Sequence, residues 1–255
     1  MTELRKYELN TPQYLLYKQM HEKQDLDYVL KIKTKYSEKI KTKMSIKEVL
    51  KMMDTFIDPS DPDLDVPNSI HAYQTAERIR KKYPENKELQ ITGLIHDLGK
   101  ILFKFDEPNW SIVGDTYVVG CKFPKSIVYY DTIKNNKDYN KYDKIGIYKH
   151  GCGLDKLHLS YGHDEYLYNV LKDNHTHKLT DQYLDIIRYH SFYPWHTGND
   201  YYHFMNEKDK KTLKNILDFN SFDLYSKEDD INISNETKEY YNKILDEFFP
   251  EDLFW

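Results

Sequence analysis

Lys87 to Phe103 reads KELQITGLIHDLGKILF, and its apolar residues recur at helical spacing. Ile91, Leu94, Ile95, Leu98 and Leu102 would line one face of a helix, and a stripe of that width is buried in a folded protein. His96 and Asp97 stand in the middle of this predicted helix. A carboxylate carried into such surroundings alone costs several kcal/mol, so the doublet needs a cation or a hydrogen-bonding partner.

The same spacing recurs on both sides. Asn68 or Ser69 is placed to cap a helix to about Lys82, with Ile70, Tyr73, Ala76 and Ile79 buried and His71 beside that face. Ser45-Ile46-Lys47-Glu48 carries the capping-box pattern and opens a helix that ends at Asp58-Pro59. Thr11-Pro12 starts an arm predicted to stay helical to about Lys43. Helical pattern resumes over 161–172, 180–192, 208–222 and 237–248, which sets His163 at the start of one helix, His190 near the end of the next and Asp223 just past the third. Between Glu107 and Tyr148, glycines, prolines and the β-prone run Ser126 to Tyr130 predict loops and a short hairpin. The expected fold class is therefore mostly α: one catalytic domain over 1–255, with an N-terminal helical arm (1–57) and a metal-binding helical core (58–255).

The 255 residues suffice for a sizeable core without disulfides. Lys and Arg total 37 against 42 Asp and Glu, and no basic stripe is present, which argues against nucleic acid as a partner. Cys121 and Cys152 lack C-x-x-C spacing and suit a reducing compartment. The N-terminus has no apolar core of a signal peptide, and no stretch reaches the roughly 18 apolar residues of a membrane helix, so a soluble cytoplasmic protein is expected. The aspartates of Asp58 to Pro67 are not a calcium loop: counted from Asp61, the glycine and glutamate places of an EF-hand hold Val66 and Ala72.

Four histidines (His71, His96, His163, His190) and two aspartates (Asp97, Asp223) thus lie on or beside buried helical faces. Neighbouring residues on a helix point about 100° apart, so His96 and Asp97 do not chelate one ion as an i, i+4 pair would. They suit a site in which the histidine binds one ion and the carboxylate bridges to a second. Two six-coordinate ions sharing Asp97 and a hydroxide would leave roughly three of twelve positions open, which is the mark of catalysis. Nitrogen and oxygen donors without thiolate admit iron, manganese or zinc alike. A lone His-Asp doublet is also satisfied by an ordinary buried hydrogen bond; the six residues together favour metal.

These segments resemble the myo-inositol oxygenase family of the wider HD-domain superfamily, over nearly the whole chain from about Leu4 to Trp255. The resemblance is carried by DPSDPD (58–63), PNSIHAYQTAE (67–77), HDLGK (96–100), VGDT (113–116), GCGLD (151–155), YGHDEY (161–166), YHSFYPWHTG (189–198) and FNSFDLY (219–225). It implies an HD-type helical bundle and a mixed-valent Fe(II)/Fe(III) pair, one iron held by His71, His96, Asp97 and Asp223 and the other by Asp97, His163 and His190. The implied reaction is four-electron ring cleavage of myo-inositol by O2 to D-glucuronate, by a chain that is usually a monomer. Asp97 and Lys100 would be catalytic. Arg5, Asp58, Ser60, Lys100, Gly114, Asp115, His190 and Ser191 fall at substrate-contacting positions, with Arg5 helping the N-terminal arm close the site as a lid. Asp164 is expected to orient or cap, His196 to back the site, and His150, His158, His175, His177 and His203 to lie at the surface. The main rival is an HD-type metal-dependent phosphohydrolase, and the acidic rim of Asp58, Asp61, Asp63 and Asp115 speaks against a phosphate substrate.

Overall fold

Asp25 ends what the sequence reads as one long N-terminal helix. In the computed structural model, which describes residues 9, 11–39, 41–60, 67–224 and 233–255, helix α1 spans Pro12–Lys23, capped by the Thr11 hydroxyl. Helix α2 spans Leu26–Glu38, and the Asp25 carboxylate accepts from the Tyr28 amide at 2.8 Å to start it. The expectation of an unbroken helix to Lys43 is thereby corrected. Gln24, at the break, is fully buried: its Nε2 donates to the carbonyls of Trp110 and Tyr161, and its Oε1 accepts from the Tyr161 amide. Three hydrogen bonds of a buried side chain outweigh one more turn of helix.

After strand β1 (Lys43–Met44), α3 (Ile46–Met52) opens with the capping box read from Ser45 and Glu48. Helices α4 (Asn68–Lys82), α5 (Lys87–Ile95), α6 (His163–Asp173), α7 (Asp181–Tyr189), the short α8 (Tyr193–His196), α9 (Glu207–Asp223) and α10 (Asn235–Phe248) follow, and β2 (Leu253–Phe254) ends the order. The architecture is mostly helical, as the sequence predicts. β1 and β2 pair antiparallel, Lys43 with Phe254 and Met44 with Leu253. The alternative of a short hairpin within Glu107–Tyr148 is not realised, and loops with two 3-10 segments, Asn109–Ser111 and Tyr130–Asn135, occupy the region. Its extended residues pair with a distant segment instead: Val118 bridges Leu159, and Ser126 to Tyr130 turn so that Ile127 and Val128 reach a buried cluster with Tyr17 and Tyr117.

His96 and Asp97 do not stand mid-helix. α5 stops at Ile95, His96 caps it, and Asp97 (φ −95°, ψ −2°) lies in the sparsely populated bridge region that active-site residues often occupy. A 3-10 segment, Leu98–Phe105, carries the chain onward. The tighter turn lets the chain seat closely on α6: a Cβ at Gly99 would stand 1.8 Å from the His163 carbonyl oxygen, so only glycine fits. Both cysteines are free. Among the described residues no helix is long and apolar enough to cross a membrane.

Candidate metal centre

The ends of helices converge on one small cavity. α4 brings His71 from its first turns, the α5 terminus His96 and Asp97, the α6 start His163, the α7 terminus His190 and the end of α9 Asp223. The cavity encloses about 80 Å³ and is lined by these six residues with Tyr17, Asp58, Ser60, Lys100, Gly114, Asp115, Ser191, Tyr193 and Leu224. That volume holds several waters' worth of polar ligand, at roughly 10–15 Å³ each. Every site residue named from the sequence lines it except Arg5, which lies outside the described residues, as do Asp61 and Asp63 of the acidic loop.

The Asp97 carboxylate divides between two groups of nitrogens. Its Oδ2 lies 3.8 Å from His71 Nε2 and 3.6 Å from His96 Nε2, while its Oδ1 lies 3.2 Å from His163 Nε2 and 3.7 Å from His190 Nε2. Asp223 Oδ1 joins the first group, 2.9 Å from His71 Nε2 and 3.3 Å from His96 Nε2. Backbone carbonyls accept from Nδ1 of His96 (Gly93, 2.8 Å), His163 (Ile112, 2.7 Å) and His190 (Ile187, 2.8 Å). A carbonyl only accepts, so these bonds set the proton on Nδ1 and aim the Nε2 lone pair at the centre, as metal-binding imidazoles require.

Two such lone pairs meet without a proton between them. His163 Nε2 and His190 Nε2 are 3.1 Å apart, and nitrogens in adjacent positions on one ion, each about 2.1 Å from it, are separated by about 3 Å. The donor set therefore fits a cation there, and His71, His96 and Asp97 form a second group able to hold one.

Charge around Asp97 is arranged to keep it ionised. Burial alone would raise its carboxyl, but the ammonium of Lys100 leads the effects that hold it well below the ordinary range. Burial likewise opposes the charge of Asp223, and His96 and His71 overcome it. Lys100 Nζ sits between Asp58 Oδ2 (2.6 Å) and Asp97 Oδ2 (2.7 Å); burial works against its ammonium, yet the two carboxylates push its pKa up. The Ser60 amide and hydroxyl in turn donate to Asp58 Oδ1.

Two residues of the site are not singled out by sequence. Asn68 donates from Nδ2 to Asp97 Oδ2 at 3.0 Å, where the sequence reading makes it a helix cap; α4 instead begins behind Pro67 with no side-chain cap. Its spacing of three from His71, which puts both on one helix face, is the available signal. Tyr17, one of 24 tyrosines, donates to Asp115 Oδ1 at 2.8 Å and carries no local signal at all. Gly114 beside it has φ +104°, and a Cβ there would come within 2.9 Å of Met20 Sδ.

Asp164 does not orient the His163 ring, whose Nδ1 partner is Ile112. It accepts from Thr116 Oγ1 at 2.6 Å and from the Glu165 amide, tying the Gly114–Thr116 loop to α6. His196 backs the site through a 3.1 Å contact of its Nε2 with the His190 carbonyl. His150 and His175 are exposed and His158, His177 and His203 half-buried.

Comparison with known proteins points one way. The sequence profile of the family described as "Myo-inositol oxygenase" matches residues 13–255. Inositol oxygenase of Danio rerio is 44% identical over 243 residues, covering 94% of this chain and 87% of that protein. Inositol oxygenase 1 of Arabidopsis thaliana is 46% identical over 246 residues (94% and 78%), and inositol oxygenase of Homo sapiens 42% over 246 residues (95% and 86%).

Proposed function

The chain belongs to the myo-inositol oxygenase family, and from that premise we propose that it converts myo-inositol and O2 to D-glucuronate with a mixed-valent Fe(II)/Fe(III) pair as cofactor. The observation that carries the dinuclear reading is the division of Asp97, one oxygen toward His71 and His96, the other toward His163 and His190. Asp97 would bridge the ions, His71, His96 and Asp223 completing one site and His163 and His190 the other. When bound, the iron pair supplies Lewis acidity to adjacent substrate oxygens and the redox capacity for a four-electron oxidation by O2.

The protein's own part is positioning and charge. Lys100 stays protonated, and its ammonium beside Asp97 can donate to a substrate oxygen and stabilise alkoxide character there. Asp58 with Ser60 holds Lys100 in place. Asp115, oriented by Tyr17, together with Ser191 and the backbone at Gly114, offers hydrogen-bonding groups to the hydroxyls of a polyol. The deep placement of these groups keeps bulk water from the reacting atoms. The whole chain acts as one catalytic unit in inositol catabolism, a cytoplasmic monomer.

A phosphohydrolase reading finds no support in the cavity. Among the described residues that line it, Lys100 is the one lysine or arginine, and two carboxylates already engage it. The test is direct: iron-loaded, partly oxidised protein given myo-inositol should consume O2 and form glucuronate. Release of phosphate from esters without oxygen uptake would overturn the proposal.

A further inference from the structure

Behind the two histidines whose lone pairs face each other lies a buried ionic cluster that the reaction does not use. Glu165, two residues after His163, is 2% exposed and accepts from Arg188 Nε at 2.7 Å and Nη2 at 3.2 Å. Arg188 stands two residues before His190 and is itself buried. Lys33 of α2 adds a third contact, 2.7 Å from Glu165 Oε1. Two residues along a helix turn it by about 200°. The imidazoles therefore meet on one side of the α6–α7 packing and the charged pair on the other.

We infer that the Glu165–Arg188 fork, braced by Lys33, is the positioning device that sets the separation of His163 and His190, and so governs occupancy of one of the two ion sites and not the other. The α6 side of this geometry is already fixed. Gly99 packs against the His163 backbone, and the His163 amide donates to the Ile112 carbonyl at 2.9 Å. What remains to be set is where α7 sits against it, and two parallel N–H···O bonds fix distance and angle together, as a single ammonium contact does not. Some such device is required because the imidazoles do not attract each other; before an ion binds, their facing lone pairs push the helices apart. The other half needs no such counterpart, since the Lys100 ammonium and the Asn68 amide hold Asp97 Oδ2 at the site itself.

This inference rests on the proposed dinuclear centre, and the experiment separates the two. Wild-type chain, Arg188→Lys and the charge-free pair Glu165→Gln/Arg188→Met are loaded anaerobically with ferrous iron, and iron per chain is measured beside the far-ultraviolet circular dichroism. Wild type should bind two irons; failure to do so removes the dinuclear centre itself. With two bound, the charge-free variant should hold about one iron with its helical signal intact, and Arg188→Lys should weaken one ion by about 10–100-fold, as loss of a residue supporting a metal ligand does. The same Arg188→Lys change is then made in His71→Ala and His190→Ala chains. It should weaken the remaining ion in the first and have no further effect in the second. Two irons held at wild-type affinity in Arg188→Lys, or equal added losses in both backgrounds, would overturn the inference.

Discussion

The two sides of Asp97 are built by different means. On the Oδ2 side the support lies at the site itself: Asp223 lies against both His71 and His96, and Lys100 and Asn68 grip the same Asp97 oxygen. On the Oδ1 side two imidazoles face each other with no carboxylate between them except Asp97, and the restraint lies behind them in Glu165 and Arg188. The first arrangement is self-supporting because opposite charges meet at the site. The second stores its support at a distance. A site with two such halves should fail in two distinguishable ways.

The sharpest break of that contrast is Asp97→Ala, which removes the one group common to both halves. Iron should fall from two per chain to none and turnover by at least about a thousandfold, as when one member of a catalytic unit is lost; two irons retained would show that the halves stand without a bridge. Lys100→Met comes next and strikes the Oδ2 side alone, leaving Asp58 and Asp97 facing each other without their cation. A broken buried pair costs about 3–5 kcal/mol, so urea unfolding of the metal-free variant should show a loss of that size. No loss would mean the Oδ2 side does not depend on internal charge balance.

The Oδ1 side can be probed by pH. Burial opposes ionisation of Glu165, but Arg188 and Lys33 prevail and bring its carboxyl from the ordinary 4.5 down to about 2. The folded value is depressed, so the contribution to stability is complete above pH 4.5 and is lost as pH falls toward 2. Across that window it amounts to on the order of 3 kcal/mol. Unfolding free energies at pH 5 and pH 3 should therefore drop further in wild type than in Glu165→Gln, and parallel drops would show that the pair carries no such weight. The smallest effect is expected from Asn68→Ala: a loss of about 10–100-fold in iron affinity at the first site, read by titration, with the helices intact. Equal loss at both sites would blur the distinction between them.

What the sequence disclosed followed from periodicity. The stripe from Ile91 to Leu102, the capping box at Ser45 and the helical settings of His163, His190 and Asp223 are local patterns, and each element stands close to where spacing puts it. The break at Gln24, the early end of α5 and the absent hairpin were not legible, because each is decided by a partner far along the chain. Gln24 answers to Tyr161, 137 residues on, and Tyr17 to Asp115, 98 residues on. Gly99 looks like an interruption within a helix until the His163 carbonyl is placed against it. The same holds for the Glu165–Arg188 fork, which in sequence is two unremarked charges on two amphipathic helices.

The two-residue strand at Lys43–Met44 sets a limit on when this protein can be finished. Its partner is the segment at Leu253–Phe254, and the indole of Trp255 donates to the Met44 carbonyl across 211 residues of sequence. At a synthesis rate of roughly 5–20 residues per second, the first strand waits on the order of ten to forty seconds for the second to be made. Through that interval α3 and its neighbours cannot close against the end of the chain. The contacts between these strands also have a long loop to close, so the pairing of β1 is completed only after β2 has been made.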